Sequence, residues 1–186
     1  MELENLTEVL DKYASLIVTG AKENLVKDVD KYGGNKGGGD LYNSVAYDLR
    51  VEANVFLLDF LMEDYGKFVD EGVKGKTSTY PESMMSKFQY GTGTGRKDGL
   101  TDGVRGWLNK KKFQWRNKDV KGRRNGTFMS YESMTFIIAR SIYNKGLKAN
   151  HFFTEPFEKY LKKLPKELGQ SFALDIEKAI ILGTKK

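Results

Sequence analysis

The sequence predicts an α+β fold: a long N-terminal helix, an antiparallel β-hairpin, a long irregular excursion and a group of C-terminal helices. Three observations carry that expectation. Apolar residues recur at helical spacing through the first 25 residues, the period drops to two after a glycine tract, and helix start and stop signals return after residue 129. A chain of 186 residues suits one domain and is long enough to bury about 70% of its unfolded surface.

Leu3, Leu6, Val9, Leu10, Tyr13, Leu16, Ile17, Ala21 and Leu25 define one stripe, which places a helix over residues 3 to about 29 within an N-terminal segment 1–32. Five glycines in the seven residues 33–39 make a continued helix costly and predict a flexible linker. From Leu41 to Val51 the alternation predicts a half-buried strand, and the apolar run 55–62 predicts a second one, buried on both faces. Their closeness makes them an antiparallel hairpin, within a segment 40–73. Residues 73–103 hold six glycines, Pro81 and many Ser and Thr, which predicts an excursion from the core; with the basic stretch it spans 74–128. Trp107, Leu108, Phe113, Trp115 and Val120 would anchor some structure within it. Ser130 with Glu132 and Ser133 starts a helix that Lys145 and Gly146 should end. Leu147 to Thr154 reads as a short strand. Pro156 and Pro165 fit helix starts, and Leu168, Phe172, Ile176 and Ile180 form one stripe on the last helix, within a C-terminal segment 129–183.

Hydrophobic residues make up 39% of the chain and charged residues 30%, a balance unlike that of disordered proteins. The absence of cysteine excludes disulfides, thiolate metal sites and cysteine nucleophiles. No apolar stretch approaches the roughly 18 residues that span a bilayer, so no membrane association is expected, and the acidic start reads as a soluble protein of intracellular origin. The net charge of +6 is unevenly distributed. Arg105, Lys110, Lys111, Lys112, Arg116, Lys118, Lys121, Arg123 and Arg124 face one acid, Asp119, so this segment carries +8 and the remainder −2. Such a segment suits a polyanion or an acidic partner.

Catalytic readings are weaker. The one histidine, His151, has no motif to orient it against a nucleophile. Gly91, Gly93 and Gly95 lack the spacing of a phosphate-binding loop. Asp59, Glu63, Asp64, Asp70, Glu71 and Lys74 supply the residue types of a magnesium nuclease, but Glu71 and Lys74 are one residue too far apart to share a strand face. Neither a cofactor nor a metal is expected. The basic, aromatic stretch 105–124 suits nonspecific contact with nucleic acid, since cations meet phosphates and aromatic faces accept bases.

Two blocks, "GGDLYNSVAYDL" (38–49) and "YGKFVDEG" (65–72), are similar to a paired motif of the tail-completion or head-to-tail joining proteins of tailed bacteriophages. Gly39, Leu41, Ser44 and Val45 match its strand start; Tyr65, Val69, Asp70 and Gly72 match its later corner. A third block, "IIARSIYNKGLKANHFFTEPF" (137–157), resembles that family's ending, and order and separation agree over about 125 residues. Val73 stands where threonine is usual, His151 replaces a proline, Pro156 comes one residue late, and 74–128 is longer than in compact members. The resemblance implies a long N-terminal helix packed on a curved antiparallel β-sheet, closed by C-terminal helices, with a long central loop insertion. It also implies a non-enzymatic structural virion protein. Such a protein forms a homo-oligomeric ring in the neck, between portal or adaptor and tail proteins, around the DNA channel. In that setting Tyr65, Phe68 and Val69 would pin a short helix to the sheet, Gly72 would turn the chain, and Asp70 with Glu71 would cap or face a neighbour. The segment 105–124 would then line the channel or meet an acidic neck protein.

Overall fold

The structure, a computed structural model, describes residues 3–27, 39–52, 55–92, 99–117 and 126–184. These form seven α-helices and two small antiparallel sheets, and so bear out the predicted mixture of a long N-terminal helix, a hairpin and C-terminal helices. The chain groups into two compact units: residues 1–70 with 150–186 (unit 1), and residues 71–149 (unit 2).

Unit 1 is built on α1 (Glu4–Lys27), which buries Leu10, Tyr13, Ala14, Ile17, Ala21 and Leu25, the stripe read from the sequence. Apart from Gly39, the glycine-rich linker lies outside the described residues. The strand expected from Leu41 begins only at β1 (Ala46–Glu52), because Asp40–Ser44 forms a helical turn, α2. Leu41 and Val45, both buried, lie four apart, a spacing that fits either period. What decides is local hydrogen bonding: the Val45 amide donates to the Leu41 carbonyl, and the Ser44 hydroxyl donates to the same carbonyl at 3.0 Å. β1 pairs with β2 (Val55–Leu61), Ala46 opposite Leu61 and Glu52 opposite Val55. The β2 run is not buried on both faces: Phe56, Leu58 and Phe60 are half-buried, whereas Val55, Leu57, Asp59 and Leu61 are exposed. With only two strands and no layer on its second side among the described residues, the hairpin alternates in and out. Phe60 meets Phe153 and Phe157 edge-on, and Ala21, Leu25, Leu41, Val45 and Phe152 form the core beside it.

Two C-terminal helices close unit 1: α6 (Thr154–Leu161) and α7 (Leu164–Thr184), both in contact with α1. Pro156 and Pro165 sit in their first turns, as the missing donor allows. Gly20 lets α1 approach α6 closely, for a Cβ there would stand 2.9 Å from Pro156. Leu168, Phe172, Ile176 and Ile180 do share one side of α7, but Phe172, Ile176 and Ile180 face solvent. The buried face of α7 instead presents Ser171 and Asp175.

Unit 2 departs most from the expected irregular excursion. Val73–Lys74 (β3) pairs with Gly146–Leu147 (β4), so the strand expected over 147–154 is confined to its first residue and Gly146. Gly99–Lys111 forms α4, whose Leu100, Val104 and Leu108 pack with Met134 and Ala139 of α5 (Tyr131–Lys145). Gly103 and Gly106 had hidden that helix. α5 starts and stops where the sequence places it: the Ser130 hydroxyl accepts the Ser133 amide at 3.2 Å, and Gly146 at φ 84° ends it. The buried hydroxyl of Ser83 donates to the Leu147 carbonyl at 2.6 Å and accepts the Ala149 amide at 2.9 Å, while Ser86 donates to Gly72 at 2.8 Å.

Candidate functional site

Residues 65–72 form the corner. Gly66–Glu71 is a short helix, α3, and Gly72 follows at φ 71°, where a side chain is disfavoured and a Cβ would strike Ser83 and the backbone at Leu147 and Ala149. Within unit 1, Val69 packs on the core, while Tyr65 and Phe68 are 44% and 40% exposed and the Tyr65 hydroxyl meets the backbone of Leu41. Gly66 sits buried against Leu41 and Met62. Asp70, only 6% exposed, accepts the amides of Phe153 at 2.8 Å and Thr154 at 3.1 Å and the Thr154 hydroxyl, so it caps the start of α6 from 84 residues away. Its backbone carbonyl accepts from His151, and that of Val69 from Asn150. The chain leaves unit 1 and re-enters it at this corner. Glu71 pairs with Lys87 at 3.2 Å.

A second remote cap fixes the opposite end of unit 1. Asp175, 2% exposed, accepts the Asn5 amide at 3.2 Å, the Asn5 side chain at 2.6 Å and the Leu6 amide at 3.0 Å, all at the start of α1. Burial alone would raise its carboxyl, yet these hydrogen bonds hold it below the ordinary value. About two turns away along the same pair of helices, Tyr13 donates to Glu167 at 2.6 Å, and Lys12 reaches the same carboxylate at 2.9 Å. The Glu167 hydrogen bond, aided by burial, pushes the Tyr13 phenol up to about 12, while Tyr13 and Lys12 hold Glu167 low.

The basic segment belongs to unit 2. Arg105, Lys110, Lys112 and Arg116 are exposed, and Lys111 is the last residue of α4; Lys118, Lys121, Arg123 and Arg124 lie outside the described residues, as does Val120. Arg105 meets Asp102 one turn earlier. The Arg116 guanidinium lies 4.3 Å above the Phe128 ring and donates to the Gly126 carbonyl at 2.8 Å, which fixes the cation in place. An edge-to-face row runs from Trp107 through Phe113 to Trp115. Trp107 is 47% exposed and Phe128 57%, so unit 2 exposes aromatic surface as well as cations.

The hairpin's solvent face has the opposite character. Asp48, Arg50 and Glu52 alternate on β1 opposite Asp59, Leu57 and Val55 on β2, with Leu61 at one end and exposed Glu63 and Asp64 just beyond. Arg50 pairs with Asp48 at 3.2 Å and with Asp59.

The residues weighed for catalysis are dispersed. Asp70 is occupied as a cap, Glu71 and Asp59 are in ion pairs, and exposed His151 is at φ 54°, its carbonyl accepting the Glu155 amide. Gly93 and Gly95 lie outside the described residues. Among the described residues no group of three or more His, Asp or Glu is placed to hold a metal ion, and no helix is long and apolar enough to cross a membrane. Searches against protein-family models, curated proteins and solved structures each found no match for the chain.

Proposed function

We propose that the chain is a structural protein of the phage virion neck, assembling as a ring that joins the portal or head to the tail around the DNA channel. The observation that carries this reading is the outward apolar side of α7. Phe172, Ile176 and Ile180 face solvent at 44%, 37% and 62% exposure, while the same helix buries Ser171 and Asp175. A helix that turns apolar residues outward and polar ones inward is matched to a neighbour rather than to water. The three-block resemblance supplies the class of neighbour: copies of itself and the portal, adaptor or tail proteins of the neck. The corner fits that role as scaffolding, since Asp70 and Gly72 spend their chemistry on the fold.

Electron microscopy of the purified chain, alone and with portal-side neck components, tests the reading. Closed annular complexes are expected. A chain that stays monomeric with every component while turning over a substrate would overturn it. The Arg116–Phe128 stack and the exposed Trp107 favour a second reading, a nonspecific DNA-binding protein using residues 105–124. That reading predicts monomer affinity for duplex DNA that falls steeply between low and physiological salt.

A further inference from the structure

We infer that the hairpin of unit 1 in one copy is the docking surface for the basic, aromatic face of unit 2 in the next copy. The inference rests on the ring reading and names the surfaces by which successive subunits join.

Charge is the first observation. Unit 2 holds 17 Lys and Arg against 6 Asp and Glu, a net +11, whereas unit 1 holds 14 against 19, a net −5. The +6 of the whole chain thus conceals two modules of opposite sign. Apolar content is the second. On the hairpin, exposed Val55, Leu57 and Leu61 alternate with acids, and the face ends in Glu63 and Asp64. Because Arg50 is already held between Asp48 and Asp59, the hairpin's net demand is for cations. On unit 2, Lys110, Lys112 and the fixed Arg116 are exposed, as are the rings of Trp107 and Phe128. Aliphatic side chains with acids on one surface and aromatic rings with cations on the other satisfy both requirements of a specific contact: apolar burial and opposed potentials.

The geometry of assembly selects the occupant. A head-to-tail ring needs every subunit to carry two different, mutually complementary surfaces, and this chain carries both. Duplex DNA would satisfy the cations of unit 2, but the acidic hairpin repels phosphate, and its Val55, Leu57 and Leu61 would stay exposed. A hairpin that has only two strands among the described residues also gains stability from a partner.

Charge reversal tests the pairing in the full-length chain. One variant carries Glu52→Lys, Glu63→Lys and Asp64→Lys; a second carries Lys110→Glu and Arg116→Glu. All five positions are exposed, and unchanged circular dichroism checks folding. Sedimentation at low salt should show each variant alone needing about tenfold or more higher concentration to associate than the wild type. Mixing the two should restore association, as alternating copies, because each reversed surface then meets its complement. Wild-type association retained by both variants would overturn the hairpin pairing and leave the ring reading standing. Loss of duplex-DNA binding in the second variant, with its self-association intact, would assign the basic face to DNA and overturn the pairing too. A wild type that never self-associates, in solution or on neck components, would remove the ring reading as well.

Discussion

Asp70 and Asp175 solve the same problem at two ends of unit 1. The first amides of a helix have no partner within it, and a carboxylate brought from far along the chain both accepts them and meets the positive end of the helix dipole. Replacing Asp70 by Ala leaves the half-buried Phe153 and Thr154 amides unmatched and should lower unfolding free energy by about 1–2 kcal/mol in urea titration, with Asp70→Asn losing less. The Tyr13–Glu167 pair gives a pH signature. The raised phenol contributes fully below tyrosine's ordinary 10, and its contribution disappears as pH climbs through about 12. Glu167 and Asp175, held low, contribute above the ordinary carboxylate range and lose that contribution in acid. The melting-temperature difference between wild type and Tyr13→Phe should therefore be constant from pH 6 to 9 and vanish between 10 and 12.

Elements were legible in the sequence where local signals agree with the packing. α1 and α5 show this: a continuous stripe defines the first, and Ser130 and Gly146 bound the second. α4 was obscured because Gly103 and Gly106 break its propensity while Leu100, Val104 and Leu108 keep its period. A Cβ at either glycine meets nothing within 4 Å, so Gly103→Ala and Gly106→Ala should each raise the stability of unit 2 by about 0.5–1 kcal/mol, read from the shift in the thermal midpoint. The apolar β2 run was misread as fully buried because composition cannot tell a strand covered on both sides from one covered on a single side. The same ambiguity applies to α7, whose stripe was legible but not its direction. The Asp70 cap was legible as a corner, but its target, 84 residues away, has no local signal. Ser83 and Ser86, which latch β3 and β4, were hidden in an unremarkable Ser-rich stretch.

At the scale of the whole molecule, two cores sit in two units of opposite charge, and among the described residues no element of unit 1 covers its most exposed apolar side chains. Solubility of a lone subunit and closure of an assembly then make different demands on the same side chains. On α7, changing Phe172, Ile176 and Ile180 together to Ser removes apolar area already in contact with water, so the monomer should unfold within about 0.5 kcal/mol of wild type per site. It should also aggregate less, since three of the exposed apolar side chains of α7 are gone. If that side is shared with neighbours, the same variant loses the interface's burial free energy, about 25 cal/mol for each Å² no longer covered. Particles assembled with it should then lack neck density at this position, while wild type and a Lys178→Gln control on the same helix fill it. The comparison separates stability from assembly: a variant as stable as wild type that still fills the neck would show that α7 faces water by design, and the outward stripe would cease to support a ring.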